Sequence, residues 1–210
     1  MLRNEWLEKR KQGIGGSDAA AIMGLNPYMS NVDLWEYKTN RKVQEDISEK
    51  PFVKYGTKAE KPLIELFKLD YPEYKVTHKD FDMVTHPKHD FLIGSLDGRL
   101  IHKETGKKGI LEIKTTNIMN GGQLEKWNDR IPDNYFCQVL HYLLVTGFDF
   151  AILRAQLKFF GEPLKLETRH YFFEREEYID DIGLLMSNEI EFWNDHVLTD
   201  KKPNLILPPI

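Results

Sequence analysis

"IGSLDGRLIHKETGKKGILEIKTT", Ile93 to Thr116, reads as a β-hairpin in which three charges interrupt an apolar pattern. Asp97, Glu112 and Lys114 stand among Ile93, Leu96, Leu100, Ile110, Leu111 and Ile113, with Gly106-Lys107-Lys108 near the turn. Side chains alternate along a strand, so over Gly109–Thr115 the residues Glu112 and Lys114 share one face, and Leu111, Ile113 and Thr115 the other. Gly94 and Gly98 flank Asp97, as where backbone must pass closely. Burying a carboxylate without a partner is costly, and acids converging beside one lysine are explained by a divalent cation that neutralises them. A hard cation such as Mg²⁺, with Mn²⁺ as its substitute, takes oxygen ligands: Asp97, Glu112 and the backbone carbonyl of Ile113, then water and a phosphate oxygen. Lys114 is positioned to orient or deprotonate an attacking water. That is a constellation for phosphodiester hydrolysis. Its competitor is a solvated charged hairpin, because D-x-n-E-x-K also arises by chance.

Working outward, "VKYGTKAEKPLIELFKLD" places Leu63, Ile64 and Phe67 at i+3, i+4 and i+7 from Glu60, the spacing of one buried helical stripe, which puts Glu60 on the apolar side. "NYFCQVLHYLLVTG" is apolar nearly all round, as in a buried helix, with Gln138 and Tyr142 four apart on one side. Both are candidate site residues, and a pair of satisfied core polar groups is the alternative. Upstream, "NEWLEKRKQG" is expected to be a short helix stopped at Gly13, and a second helix to start at Ser17 as N-cap and end at Gly24. Ser30 and Asp33 form a capping-box pattern. Strands are expected at Tyr74–Thr77, Phe81–Thr85 and Phe91–Ile101. "DFAILRAQLKFF" and "LKLETRHYFF" read as strands around Gly161-Glu162-Pro163, and Tyr178, Ile182, Leu185, Ile190, Trp193 and Val197 suggest a closing amphipathic helix. The order is helices, mixed sheet, helix, two strands, helix: an α/β (α+β) chain, read as one domain over residues 1–210.

Composition sets the outer bounds. With 210 residues, 41% hydrophobic and 30% charged, the chain is long enough for one sizeable core. The single cysteine, Cys137, excludes an internal disulfide framework, a zinc ribbon or a four-cysteine iron–sulfur site, and fits a reducing cytosol. No apolar run suits a bilayer span and "MLRNEWLEKRKQ" lacks the apolar centre of a secretion signal, so a soluble intracellular protein with no membrane role is expected. A net charge of −4 gives no global push toward nucleic acid, so DNA binding would need local patches such as Lys9, Arg10 and Lys11. The seven histidines show no metal spacing, and His141 is read as a core residue. Lys103, Lys107 and Lys108 are read as a solvated hairpin tip, and Trp6, Trp35, Trp127 and Trp193 as packing residues.

"GSLDG", "LEIKT" and "QVLHY" resemble the D, E-x-K and Q-x-x-x-Y motifs of the PD-(D/E)-x-K nucleases, and "IGGSDAAAIMGLNPY" resembles the opening of the YqaJ-like phage recombination exonucleases, relatives of the phage lambda exonuclease. The likeness runs from about Trp6 to Gly147. It implies a restriction-endonuclease-like core with a mixed central sheet flanked by helices. It implies Asp97 and Glu112 as metal ligands, Lys114 as catalytic lysine, Glu60 as a helical acid that can join the metal, and Gln138 near the scissile phosphate. It also implies Mg²⁺-dependent 5′-to-3′ digestion of duplex DNA ends, preferably 5′-phosphorylated, leaving 3′ single-stranded overhangs. A ring-shaped homotrimer, a single-strand annealing partner and a phage or prophage protein acting in the bacterial cytoplasm belong to the same implication. "KRKQGIGGS" resembles the family's 5′-phosphate pocket, with Arg10 and Ser17 as contacts; Tyr142 is a further expected DNA contact. The family's additional upstream acid has only Asp90 as its nearest candidate. A sequence-specific endonuclease and a non-catalytic DNA-binding or assembly protein are the alternatives; no segment reads as a base-reading module, and an idle protein would not need Asp97, Glu112 and Lys114 together.

Overall fold

The computed structural model describes residues 3–161 and 163–207; Glu162, expected at a turn, lies outside them. Four helices come first: α1 (Arg3–Lys11), α2 (Gly16–Ile22), α3 (Asn31–Lys38) and α4 (Pro51–Asp70). Five strands follow: β1 (Tyr74–Thr77), β2 (Asp82–Thr85), β3 (Ile93–Leu96), β4 (Gly98–His102) and β5 (Lys108–Ile118). After the short α5 (Gly121–Glu125) come α6 (Asp133–Thr146), β6 (Phe150–Phe159), β7 (Lys165–Glu174) and α7 (Ile179–Glu191). A five-stranded sheet has the order β1-β4-β5-β6-β7, and β2 with β3 forms a separate two-stranded sheet. Among the described strands only β5 and β6 pair in parallel, in register from Gly109↔Phe150 to Ile118↔Phe159, and α6 makes the crossover between them. The result is the mixed α/β arrangement expected.

The sheet separates two cores. On one face Leu63, Ile64 and Phe67 of α4 meet Leu100, Leu111, Ile113 and Ile152, which is the stripe read from the helical spacing. On the other, α2, α3, α6 and α7 bury Ile110, Leu153, Ala155 and Leu157. Alternation along β5 therefore sends Leu111 and Ile113 to α4, and Glu112 and Lys114 toward α6. Gly147 ends α6 with φ 64°, where a side chain would be strained. Ser30 and Asp33 form the expected capping box at 3.1 and 3.2 Å.

Several elements differ from their expected bounds. The strand read as Phe91–Ile101 divides at Asp97: β3 pairs with β2, while β4 pairs with β1 and β5, so Asp97 stands at the corner between two sheets. Phe81 has φ 56°, outside strand geometry, and β2 begins one residue later. β5 runs on to Ile118 because β6 continues beside it. Ser17 is not the cap of α2. Gly15 takes that place and the carboxylate of Asp18 accepts its N–H at 3.0 Å, while Lys38 Nζ lies 2.7 Å from the same oxygen. The closing helix is broken into a 3₁₀ turn (Arg175–Tyr178), α7 and a π-helical turn (Phe192–Val197), where Trp35 Nε1 donates to His196 O at 3.0 Å and Trp193 stacks on Phe91 at 5.2 Å. Among the described residues, no helix is long and apolar enough to cross a membrane.

Candidate active site

β5 carries Glu112 into the space between the sheet and α6, where its side chain is only 2% exposed. Glu112 Oε1 accepts from Lys114 Nζ at 2.5 Å and from Gln138 Nε2 at 2.9 Å, while Oε2 is buried with no hydrogen-bond partner. The shared strand face of Glu112 and Lys114 follows from the two-residue period. Asp97 reaches in from the corner between β3 and β4, and its Oδ2 accepts the Ile113 backbone N–H at 2.8 Å. Glu60, half-buried on α4, completes the acids.

Desolvation and mutual repulsion show in the acidities. Burial first, then the charge of Asp97, pushes Glu112 up to about 8. The same two causes push Glu60 up to about 7. Burial raises Asp97 despite Lys114 and the Ile113 N–H. Burial also works against the charge of Lys114, but Glu112 and Asp97 outweigh it and push it up to about 12, so the lysine is an ammonium. Tyr135 places its ring 5.0 Å from that nitrogen.

A buried carboxyl oxygen without a partner, among acids that resist ionisation, is a donor set that suits a hard divalent cation. Among the described residues, no group of three or more His, Cys, Asp or Glu side chains is placed to hold a metal by itself. Two carboxylates with the remaining positions left to water and phosphate is the pattern of Mg²⁺ rather than of a closed protein cage. The residues present fit that ion, and Asp97 and Glu112 are the side chains that would hold it.

One cleft of about 520 Å³ is lined by Arg10, Ser17, Glu60, Asp97, Glu112, Ile113, Lys114, Gln138 and Tyr142, all singled out from the sequence for the site. Tyr142 is buried, and its hydroxyl accepts from Gln138 Nε2 at 2.8 Å. From the wall of the cleft it holds Gln138 in place. Gly16 makes this junction possible, since a Cβ there would lie 2.6 Å from the Tyr142 ring and 2.8 Å from Gln138. Arg10 stacks over Trp6 at 4.6 Å and donates to Ser17 Oγ at 2.9 Å, while Trp6 Nε1 donates to Ser95 Oγ at 2.9 Å. The N–H groups at the start of α2 are met by the chain's own Asp18, whose carboxylate accepts the Gly15 N–H at 3.0 Å. Asp90 is exposed and does not line the cleft, so it is not the additional acid.

Sequence reasoning missed three neighbours. Tyr135 lies three residues before Gln138 and seven before Tyr142, a helical stripe that could have revealed it. His78 Nδ1 lies 2.6 Å from the Asp97 carbonyl, a long-range contact with no local signal. Trp6 lines the cleft as well as packing. His141 is the core residue expected, with Nδ1 2.7 Å from Glu189 Oε1 and Nε2 2.8 Å from the Ile93 carbonyl. Lys103, Lys107 and Lys108 are exposed at the hairpin tip as expected, Lys103 donating to the Pro72 carbonyl and Lys107 lying 3.1 Å from Glu174.

The fold resembles that of an alkaline exonuclease from Laribacter hongkongensis, with a TM-score of 0.66 and 15% identity over 94% of this chain and 96% of that one. A phage-related exonuclease from Haemophilus somnus 129PT matches with a TM-score of 0.56 and 14% identity, covering 90% of this chain and 96% of that one. At such identities the likeness concerns the fold. In sequence, YqaJ of Bacillus subtilis (strain 168) is 36% identical over 212 residues; the match covers 98% of this chain and 60% of that relative's length. Residues 5–149, which include the whole acid, lysine and glutamine constellation, match the model of a domain family, and the chain belongs to that family, the YqaJ-like viral recombinase domain.

Proposed function

We propose that this protein is a Mg²⁺-dependent deoxyribonuclease that removes nucleotides 5′-to-3′ from the ends of duplex DNA, leaving 3′ single-stranded overhangs for recombination by strand annealing. The observation that carries the reading is Glu112, buried at the base of the cleft between Lys114 and Gln138 with one carboxyl oxygen left unpartnered. The described fold likeness to proteins named as exonucleases, one of them also described in complex with dAMP, supports the same class. Asp97 and Glu112 would hold Mg²⁺, which would supply Lewis-acid stabilisation of phosphoryl charge and acidify a water. The Lys114 ammonium, fixed by Glu112 and the Tyr135 ring, orients the attacking water and offsets charge on the phosphate. Gln138, held by Tyr142, keeps Glu112 in place beside it. Glu60 borders the site from α4 and is a candidate to extend the metal's ligand set. Arg10 offers a guanidinium fork to the 5′-phosphate, with Ser17 as its neighbour. A ring-shaped homotrimer and a single-strand annealing partner complete the proposal.

The test is closed circular plasmid beside the same plasmid linearised, each with Mg²⁺. The linear form is digested and the closed circle survives. Linearisation of the circle favours the endonuclease alternative, and survival of both removes the nuclease reading.

A further inference from the structure

Three cleft residues, on the loop before α3 and at the start of α6, have no part in that chemistry: Asn26, Tyr28 and Asn134. Tyr28 is 89% exposed, although an aromatic ring normally buries itself. Its loop is braced, because the Tyr28 N–H donates to Asn26 Oδ1 at 2.8 Å and the Ser30–Asp33 capping box follows two residues later. The side-chain amide of Asn134 makes no hydrogen bond within the described residues.

Entry into the cleft constrains the substrate. The Glu112 side chain is 2% exposed at the base of a cleft of about 520 Å³, too small a space to take in a duplex end. Only one strand can bring a phosphodiester to the acids, so its end base leaves its partner and its stack. An aromatic face replaces the lost stacking for any base, and an amide offers one donor and one acceptor edge.

We propose that Tyr28 and Asn134 form a nucleobase subsite at the rim of the cleft that takes the unpaired 5′-terminal base of the strand being shortened. The inference rests on the duplex-end nuclease reading above, and names how that site holds its substrate. Tyr28 provides the stacking platform and Asn134 the polar edge. Base identity is read weakly, because stacking dominates.

The test uses full-length wild type, Tyr28→Ala and Tyr28→Trp on a 5′-phosphorylated linear duplex and on the same duplex with an abasic 5′-terminal nucleotide. Tyr28→Ala raises KM for the intact end by roughly tenfold, within the range of one base–aromatic stack, and leaves kcat nearly unchanged. Tyr28→Trp restores KM, and on the abasic end all three proteins agree. In EDTA, a 2-aminopurine placed at the 5′ end is quenched on binding wild type and bright on binding Tyr28→Ala. Equal KM for wild type and Tyr28→Ala on the intact end overturns the subsite, as does an equal loss on the abasic end. A wild type that does not hydrolyse DNA removes the nuclease reading by itself; the EDTA fluorescence still decides the subsite, which falls if wild type does not quench the base.

Discussion

Glu112 and Glu189 are both buried glutamates with a basic partner close by, Lys114 Nζ at 2.5 Å and His141 Nδ1 at 2.7 Å, and each leaves Oε2 without a hydrogen bond. They differ in company. His141 and Glu189 are both 0% exposed, and His141 is closed off on its far side by the Ile93 carbonyl. Burial works against the charge of His141 and Glu189 outweighs it, raising its pKa as one isolated pair should. Glu112 shares its cleft with Asp97 and Glu60, whose charges help push it up to about 8. A pair that ties α6 to α7 has one acid and no opening. The Glu112 pair has surplus acid, an opening, and Gln138 to fix it. Burial and ion pairing alone do not separate the two; the number of like charges in reach does.

The largest effect that sharpens the comparison is on rate. Glu112→Ala and Asp97→Ala each abolish Mg²⁺-dependent hydrolysis with circular dichroism unchanged; Glu189→Ala keeps the single-turnover rate of whatever protein remains folded. Wild-type turnover in either of the first two variants breaks the assignment. Next, Lys114→Ala lowers the single-turnover rate by roughly 10²–10⁴ with DNA binding changed only modestly, the range for lost acid–base or orienting participation. A rate near wild type would exclude that role.

The sealed pair answers in stability. Glu189→Ala strands His141 and costs about 3–5 kcal/mol by chemical denaturation, the cost of breaking a buried pair. A loss under about 1 kcal/mol would mean that the pair contributes nothing as a tie. The smallest effect is one of pH. The cleft acids have folded-state pKa values raised above their unfolded ones, so ionising them costs stability as pH rises from the ordinary carboxylate range through about 8. Asp97→Asn removes one of those charges. It therefore raises the melting temperature of the metal-free protein by a few degrees at pH 8 and hardly at pH 5. A difference of equal size at both pH values contradicts the repulsion.

What the sequence made legible follows from the same physics. The period of two along β5 separated Glu112 and Lys114 from Leu111 and Ile113, and the helical period of α4 found Leu63, Ile64 and Phe67, because burial enforces both patterns. All nine residues chosen for the site line one cleft. The break at Asp97 was not legible, since whether one apolar run stays in one sheet depends on strands far away in the chain: β1 for β4, and β2 for β3. The buried Glu189 was missed for the same reason. On α7 it reads as one more solvent-facing acid, and only packing against His141 from α6 reveals it. Asp18 hid behind a plausible cap at Ser17, and its distant partner Lys38 decides the matter.

The claim that divides the two glutamates is that one of them binds a divalent cation. Mn²⁺ can stand in for Mg²⁺ and its binding can be followed by electron paramagnetic resonance, with no turnover needed. The account predicts that wild type and Glu189→Ala bind Mn²⁺, that added Mg²⁺ displaces it from both, and that Glu112→Ala fails to bind it. Mn²⁺ bound by Glu112→Ala as well as by wild type would contradict it.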